Sequence, residues 1–424
     1  MKPLIGAFKA IKPQLAIHQI NSQMLALMGP KQRKALVTAA LGLADDWHKA
    51  TAIAGLGAGL AALERPQQQA LVTAALCLAG DWDRARVIAG LSTGLAALER
   101  PQQEELVKAA LGQVDGGHKA WGIAVLGAGL VALEGSQQQA LVRAALRLPD
   151  DRHKAEAIAG LGVGLAALEQ SQQEALVTAA LGLAGEKHKA QAIAGLGPGL
   201  AALEQSQQEA LVTAALGLAD EKHKAEAIAG LGVGLVALEG SQQEALVTAA
   251  LDLAESWDKA KALAGLGAGL AALEPPQRQA LVTAALGLTD VWPKAQVIAA
   301  LGAGMAALER RQQEELVTAA LRLPEGFQKA LVIAALGAGL AALEGSQQEV
   351  LVTAALRLPD ERHKAEAIAG LGAGLGAGLA HLSESLQQVL VKAALGLADE
   401  RHKAKVIAGL ANGYQASRVR DYLR

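Results

Sequence analysis

Apolar residues recur along the chain in two runs of helical spacing, each pair of runs separated by a short polar break. In the stretch Ser206 to Glu239 the first run carries Leu211, Ala214, Ala215 and Leu218 on one stripe. The second run carries Ala225, Ile228, Leu231, Leu235 and Leu238, a 3, 4, 3 progression that keeps one face toward neighbours. Both runs predict amphipathic helices, and no alternating strand pattern competes. Ser206 with Glu209 has the spacing of a capping box, and the same S-x-x-E pattern starts at Ser171, Ser241 and Ser346. Pro66, Pro101 and Pro276 stand at that place in other copies and suit a helix start equally well. An Asp, Glu or Gly, as at Asp45, Gly80, Asp220 and Glu255, marks the expected N-cap of the second helix.

The two-helix pattern repeats. Taking His48 as the anchor, the same place returns at residues 83, 118, 153, 188, 223, 258, 293, 328, 363 and 402, a spacing of 35 nine times and 39 once. Eleven copies of one bihelical repeat follow, with a four-residue insertion at Gly376 to Leu379 that duplicates Gly372 to Leu375. A repeat of this length cannot bury its apolar face alone, so stacking must supply the core. The expected fold is all-α, a right-handed superhelical α-solenoid of eleven 35-residue helix-turn-helix repeats. Residues 1–30 read as an N-terminal helical cap, 31–410 as the repeats and 411–424 as a C-terminal cap or tail.

Glycines interrupt the second helix, as at Gly230, Gly232 and Gly234, and the third of these recurs in all eleven copies. Each costs roughly 0.5 to 1 kcal/mol relative to Ala inside a helix. Close approach of the neighbouring repeat is the expected compensation, with a kink or break as the competing reading.

Composition narrows the function classes. Lys and Arg total 39 against 41 Asp and Glu, a net charge of -2, so there is no bulk basic excess to hold a polyanion. Uncharged apolar windows such as Ala120 to Leu133 run 14 residues, too short to span a bilayer. The single Cys77 excludes an internal disulfide, and the start MKPLIGAFKAIK lacks the usual secretory pattern, so a reducing, cytoplasmic setting is expected. The near identity of the copies has the style of recent tandem duplication, from which a bacterial protein, delivered into a host cell as an effector, is a further expectation. No constellation of nucleophile, base and oxyanion hole stands at a unique place, so neither catalysis nor a cofactor is expected.

Candidate binding residues are sought where the copies differ. Three adjacent positions open the second helix. The first reads Trp47, Trp82, Gly117, Arg152, Lys187, Lys222, Trp257, Trp292, Phe327, Arg362 and Arg401. The middle one is His in seven copies, and the third is basic in all, including Lys49, Lys189, Lys224, Lys259 and Lys294. Aromatic and basic side chains thus alternate in blocks along a basic row. Such a row could meet acidic groups and supply aromatic anchors, or it could be structural, with an acid four residues before the Lys in nine copies. Rungs on the order of 10 Å apart cannot share a metal ion through the His series. The Gln pairs that open the first helices, such as Gln172 with Gln173, read as a solvated first turn.

Two helices per 35 residues resemble the α-solenoid class of HEAT, tetratricopeptide and pentatricopeptide proteins, which implies protein or peptide binding. The triplets Trp47-His48-Lys49 and Lys187-His188-Lys189 are also similar to the variable pair and following Lys of TAL-effector repeats, which implies a DNA contact. The glycines here sit in the second helix, however, and bulky Trp stands where small polar residues approach bases. The expectation is a non-enzymatic scaffold that binds a protein or extended peptide on one face, with nucleic-acid binding through the Lys row as the alternative. Self-association is open, and no membrane segment is expected.

Overall fold

The computed structural model describes residue 25, residues 28–374 and 384–399, and residues 402, 403, 405 and 406. Among these residues every regular element is a helix, and helix pairs follow one another in the order the repeat demands. The chain is an all-α solenoid of helix pairs. The described residues fall into two compact bodies, one ending at Leu238 and the other starting at Glu239. The expected N-terminal cap (but for Leu25 and residues 28–30), the insertion at 376–379 and the tail at 411–424 lie outside the described residues.

The sixth repeat shows how the sequence makes the pair. Its first helix is Gln205–Leu216 and its second is Glu221–Gly232. The first helix starts earlier than the Ser206 and Glu209 pattern predicts. Glu204 is the N-cap, and its backbone N–H donates to the Gln207 side chain at 3.1 Å. Ser206 therefore lies inside the first turn, where the glutamine has taken over the reciprocal bond. The next residue, Gln208, is buried and donates from Nε2 to the Leu200 and Leu203 carbonyls at 2.9 and 3.0 Å. The Gln pairs are consequently structural staples, not a solvated turn. Gln68, Gln103, Gln138 and Gln173 make the same two bonds in their own repeats.

The second helix is also shorter than its apolar period suggests. It ends at Gly232, and a one-turn 3-10 helix, Leu235–Ala237, carries the last apolar residues. The break falls at Gly234, whose φ of -99 and ψ of 15 leave the helical region. Close approach and break occur together. A Cβ on Gly234 would lie 2.1 Å from the Gly197 carbonyl oxygen, and one on Gly230 would lie 2.1 Å from Ala194 Cα. Only a missing side chain allows that spacing, and the contact between second helices offsets what the glycines cost the helix.

The spacing is not uniform. A Cβ on Gly57, Gly127, Gly162 or Gly197 would lie 1.9 to 2.0 Å from the carbonyl oxygen of the glycine opposite it, Gly90, Gly160, Gly195 or Gly230. In the eighth and ninth repeats that opposing glycine is Ala300 or Ala335. There the Cβ of Gly267 or Gly302 would keep 3.4 or 3.1 Å from that oxygen. One methyl group has set the helices farther apart.

A second device ties neighbouring repeats together. The acid at the first position of the second helix accepts a backbone N–H from the loop of the following repeat. Ala79 N–H donates to Asp46 at 3.4 Å, Ala184 to Asp151 at 3.2 Å and Ala398 to Glu361 at 3.3 Å. Glu186 takes two, from Ala219 and Asp220, both at 3.1 Å. Those donations hold the Glu186 carboxyl below its ordinary range, Ala219 contributing most. Where the following repeat carries a proline in the donor place, at Pro149, Pro324 and Pro359, the acid is absent, and Gly116, Val291 and Gly326 stand there instead. Proline has no N–H to give.

Candidate interaction edge

All twelve candidate residues lie in the first turn of second helices, and their local geometry follows from the N-cap. Asp220 accepts from the His223 backbone N–H at 3.0 Å, with the imidazole Nδ1 3.2 Å from the same carboxylate. Asp45 binds His48 by both its N–H and its ring, at 2.9 and 2.7 Å. Asp115, Asp150, Asp360 and Asp399 cap the His three residues on in the same way. The His backbone N–H is the main reason that Asp45, Asp115, Asp150 and Asp360 hold their charge below the usual carboxylate range. Six of the seven His thus belong to the caps, and His188, which follows Gly185, does not. Among the described residues no group of three His, Cys, Asp or Glu is placed to hold a metal ion.

The expected acid-to-Lys pairing within each helix closes at Glu325 and Lys329, 2.7 Å apart, with Lys329 buried. In the capped repeats the acid turns to the His N–H instead. Lys49, Lys189, Lys224, Lys259 and Lys294 are half-buried. Lys187 and Lys222, one position earlier, are exposed. Among the described residues the first-position cations Arg152, Lys187, Lys222 and Arg362 are therefore exposed, and the third-position lysines are recessed.

The aromatics form two blocks with different surroundings. In the first, the Arg86 guanidinium lies 5.6 Å from the Trp47 ring and 5.9 Å from the Trp82 ring, and Trp82 stacks on Trp121 at 5.1 Å. Arg86 also reaches the Thr51 hydroxyl at 3.1 Å. In the second, Trp292 meets Phe327 at 5.7 Å and Phe327 meets His363 at 6.0 Å, while no ring or cation sits over Trp257 among the described residues. Exposure does not separate the blocks, since Trp47, Trp82 and Trp257 are 48%, 51% and 52% exposed. What their faces touch does. Trp292 and Phe327 are each 38% exposed, with Val291 beside them at 38%.

The triplet pattern did not reveal Arg86 and Trp121. Their signal is the position four residues after the aromatic, on the same face of the helix, which reads Thr51, Arg86 and Trp121 in the first three repeats. The acids Asp46, Asp151 and Glu186, which bridge repeats, carry no signal in the triplet pattern either.

Within each body, fold and site together define an α-solenoid of helix pairs with a variable side chain at the start of each second helix. No family model and no curated protein matches the chain. Solved structures similar to it include the karyopherin Kap121p, with TM-score 0.37 and 11% identity over 99% of this chain and 49% of that one. Importin13 in its cytosolic state gives TM-score 0.40 and 10% identity, over 97% and 58%. Kap95p, in a structure with RanGDP, gives 0.37 and 15%, over 98% and 63%. The chain spans about half to two thirds of their length, and superpositions this loose transfer no name, partner or activity.

Proposed function

We propose that the chain is a non-enzymatic scaffold that binds a protein or an extended peptide on one face, at the starts of the second helices in the body that begins at Glu239. The observation that carries this reading is the second aromatic block. Trp257, Trp292 and Phe327 are large and 38 to 52% exposed, and among the described residues no cation covers their faces. Rigid aromatic side chains with free faces are the groups that dominate protein interfaces, because they bury much area at little cost in side-chain freedom. The nucleic-acid alternative needs a continuous track of free cations. With the third-position lysines recessed and a net charge of -2, the exposed cations of the row among the described residues are the scattered first-position Arg152, Lys187, Lys222 and Arg362.

The test is affinity capture with the full chain and with a Trp257→Ala, Trp292→Ala, Phe327→Ala variant. Proteins retained by the first and lost by the second support the scaffold. Identical capture by both, or capture abolished by nuclease, contradicts it.

A further inference from the structure

Beside the second aromatic block, at the joint between the eighth and ninth repeats, lies a cleft of about 680 Å³. Thr289, Val291 and Lys294 form one wall; Thr318, Arg322 and Pro324 form part of the other. Its origin is visible in the sequence. Val291 replaces the bridging acid and Pro324 the N–H donor, so the tie that closes other joints is missing. Ala335 opposite Gly302 keeps the second helices apart at the same joint.

We infer that this untied joint binds an acidic, extended segment of a partner protein. The volume falls within the range of ligand-binding clefts, roughly 300 to 1,000 Å³. Four charges in and beside it are already compensated: Arg311 pairs with Glu315 at 3.0 Å, and Arg310 holds Glu314 at 3.3 Å. Lys294 and Arg322 are left, one on each wall, with no acid in ion-pair reach among the described residues. Two separated cations suit isolated carboxylates, whereas a phosphate backbone needs a longer run of them. Thr289 and Thr318 bring hydroxyls that can bond an extended main chain, and Leu286 and Leu323 add apolar wall. Trp292 follows Val291 directly and Phe327 stands three residues beyond Pro324, so an apolar residue flanking the acidic stretch has an aromatic to meet. This inference rests on the scaffold reading and gives one stretch of the edge its ligand chemistry.

The experiment uses the full chain and fluorescein-labelled hexaglutamate, followed by anisotropy at low ionic strength, where exposed charges act at full range. Binding is expected, with Kd raised about tenfold by Lys294→Glu with Arg322→Glu and left unchanged by Lys187→Glu with Lys222→Glu. Val291→Asp, which puts an acid into the cleft and touches neither cation, is expected to weaken binding as well. Circular dichroism melts check that each variant folds. Absence of binding, or equal loss from both charge-reversed pairs, overturns the inference. Displacement of the peptide by an equal concentration of oligouridine overturns it too, by making the cleft a general polyanion site. The scaffold reading is separately exposed: partner capture that depends on Trp257 and Trp292 survives a failed cleft, and its loss does not follow from hexaglutamate results.

Discussion

At the joint between the fifth and sixth repeats Glu186 gathers two backbone N–H groups of the following loop, and Gly197 meets Gly230 with no room for a Cβ. At the joint between the eighth and ninth, Val291 and Pro324 stand in those places, and Ala335 opposes Gly302. The same 35-residue plan thus makes a closed joint and an open one. Three small changes separate them: an acid becomes valine, an N–H donor becomes proline and a glycine becomes alanine. Polar satisfaction explains why the first two occur together, because an acid facing a proline would lose the donor that fixes it. The aromatic rows differ in parallel, since Trp47 and Trp82 are covered by Arg86 and by Trp121 while Trp257 is not.

The largest effect should come from filling the closed joint. Gly230→Val would drive a side chain into Ala194, whose Cα lies 2.1 Å from the Cβ position, and should cost about 3 kcal/mol. Gly302→Ala, with 3.1 Å to the Ala335 oxygen, should stay within about 1 kcal/mol of the parent. Urea denaturation followed by circular dichroism compares the two, and equal losses would erase the distinction between joints. Next, Trp257→Ala with Trp292→Ala should weaken partner binding by about 2 kcal/mol, roughly 30-fold. Trp47→Ala with Trp82→Ala should leave partner binding unchanged and lower the melting temperature instead, as titration and melting of the same variants would show.

Restoring the missing tie is a smaller effect in the opposite direction. Val291→Asp with Pro324→Ala should gain about 1 kcal/mol of stability, whereas Val291→Asp alone should gain none because Pro324 has no N–H. Smallest is a pH effect. The Glu186 carboxyl is held below its ordinary 4.5, so its tie is complete above that pH and is lost as pH falls through the lower folded value. Between pH 5 and about pH 3, Glu186→Gln should therefore show a flatter fall of melting temperature than the parent.

Much of this architecture is legible in the chain. The period of 35, the two apolar runs and the N-cap acids lead directly to helix pairs, and Asp45, Gly80, Asp220 and Glu255 are N-caps. The break at Gly234 is less legible because a 3-10 turn keeps Leu235 and Leu238 on the buried side, so the apolar period runs through it. Ser206 misled for a similar reason: its spacing to Glu209 fits a capping box, but Glu204 and Gln207 reach the free N–H groups first. The candidate edge was found from variation alone. Its division into covered and uncovered aromatics was not, because Arg86 reaches the Trp47 ring across the joint from the neighbouring repeat. The ties of Asp46, Asp151 and Glu186 are long-range in the same sense, and their trace in the sequence is the pairing of prolines with missing acids 33 residues earlier.

Hydrogen exchange on the full chain, with and without hexaglutamate, tests the contrast between joints most directly. Residues 286–294 and 318–326 should exchange faster than residues 181–189 and 213–221, and the peptide should slow exchange only in the first set. Equal protection of both sets in the free chain, or slowing spread evenly over all repeats, would contradict an open, ligand-ready joint between the eighth and ninth repeats.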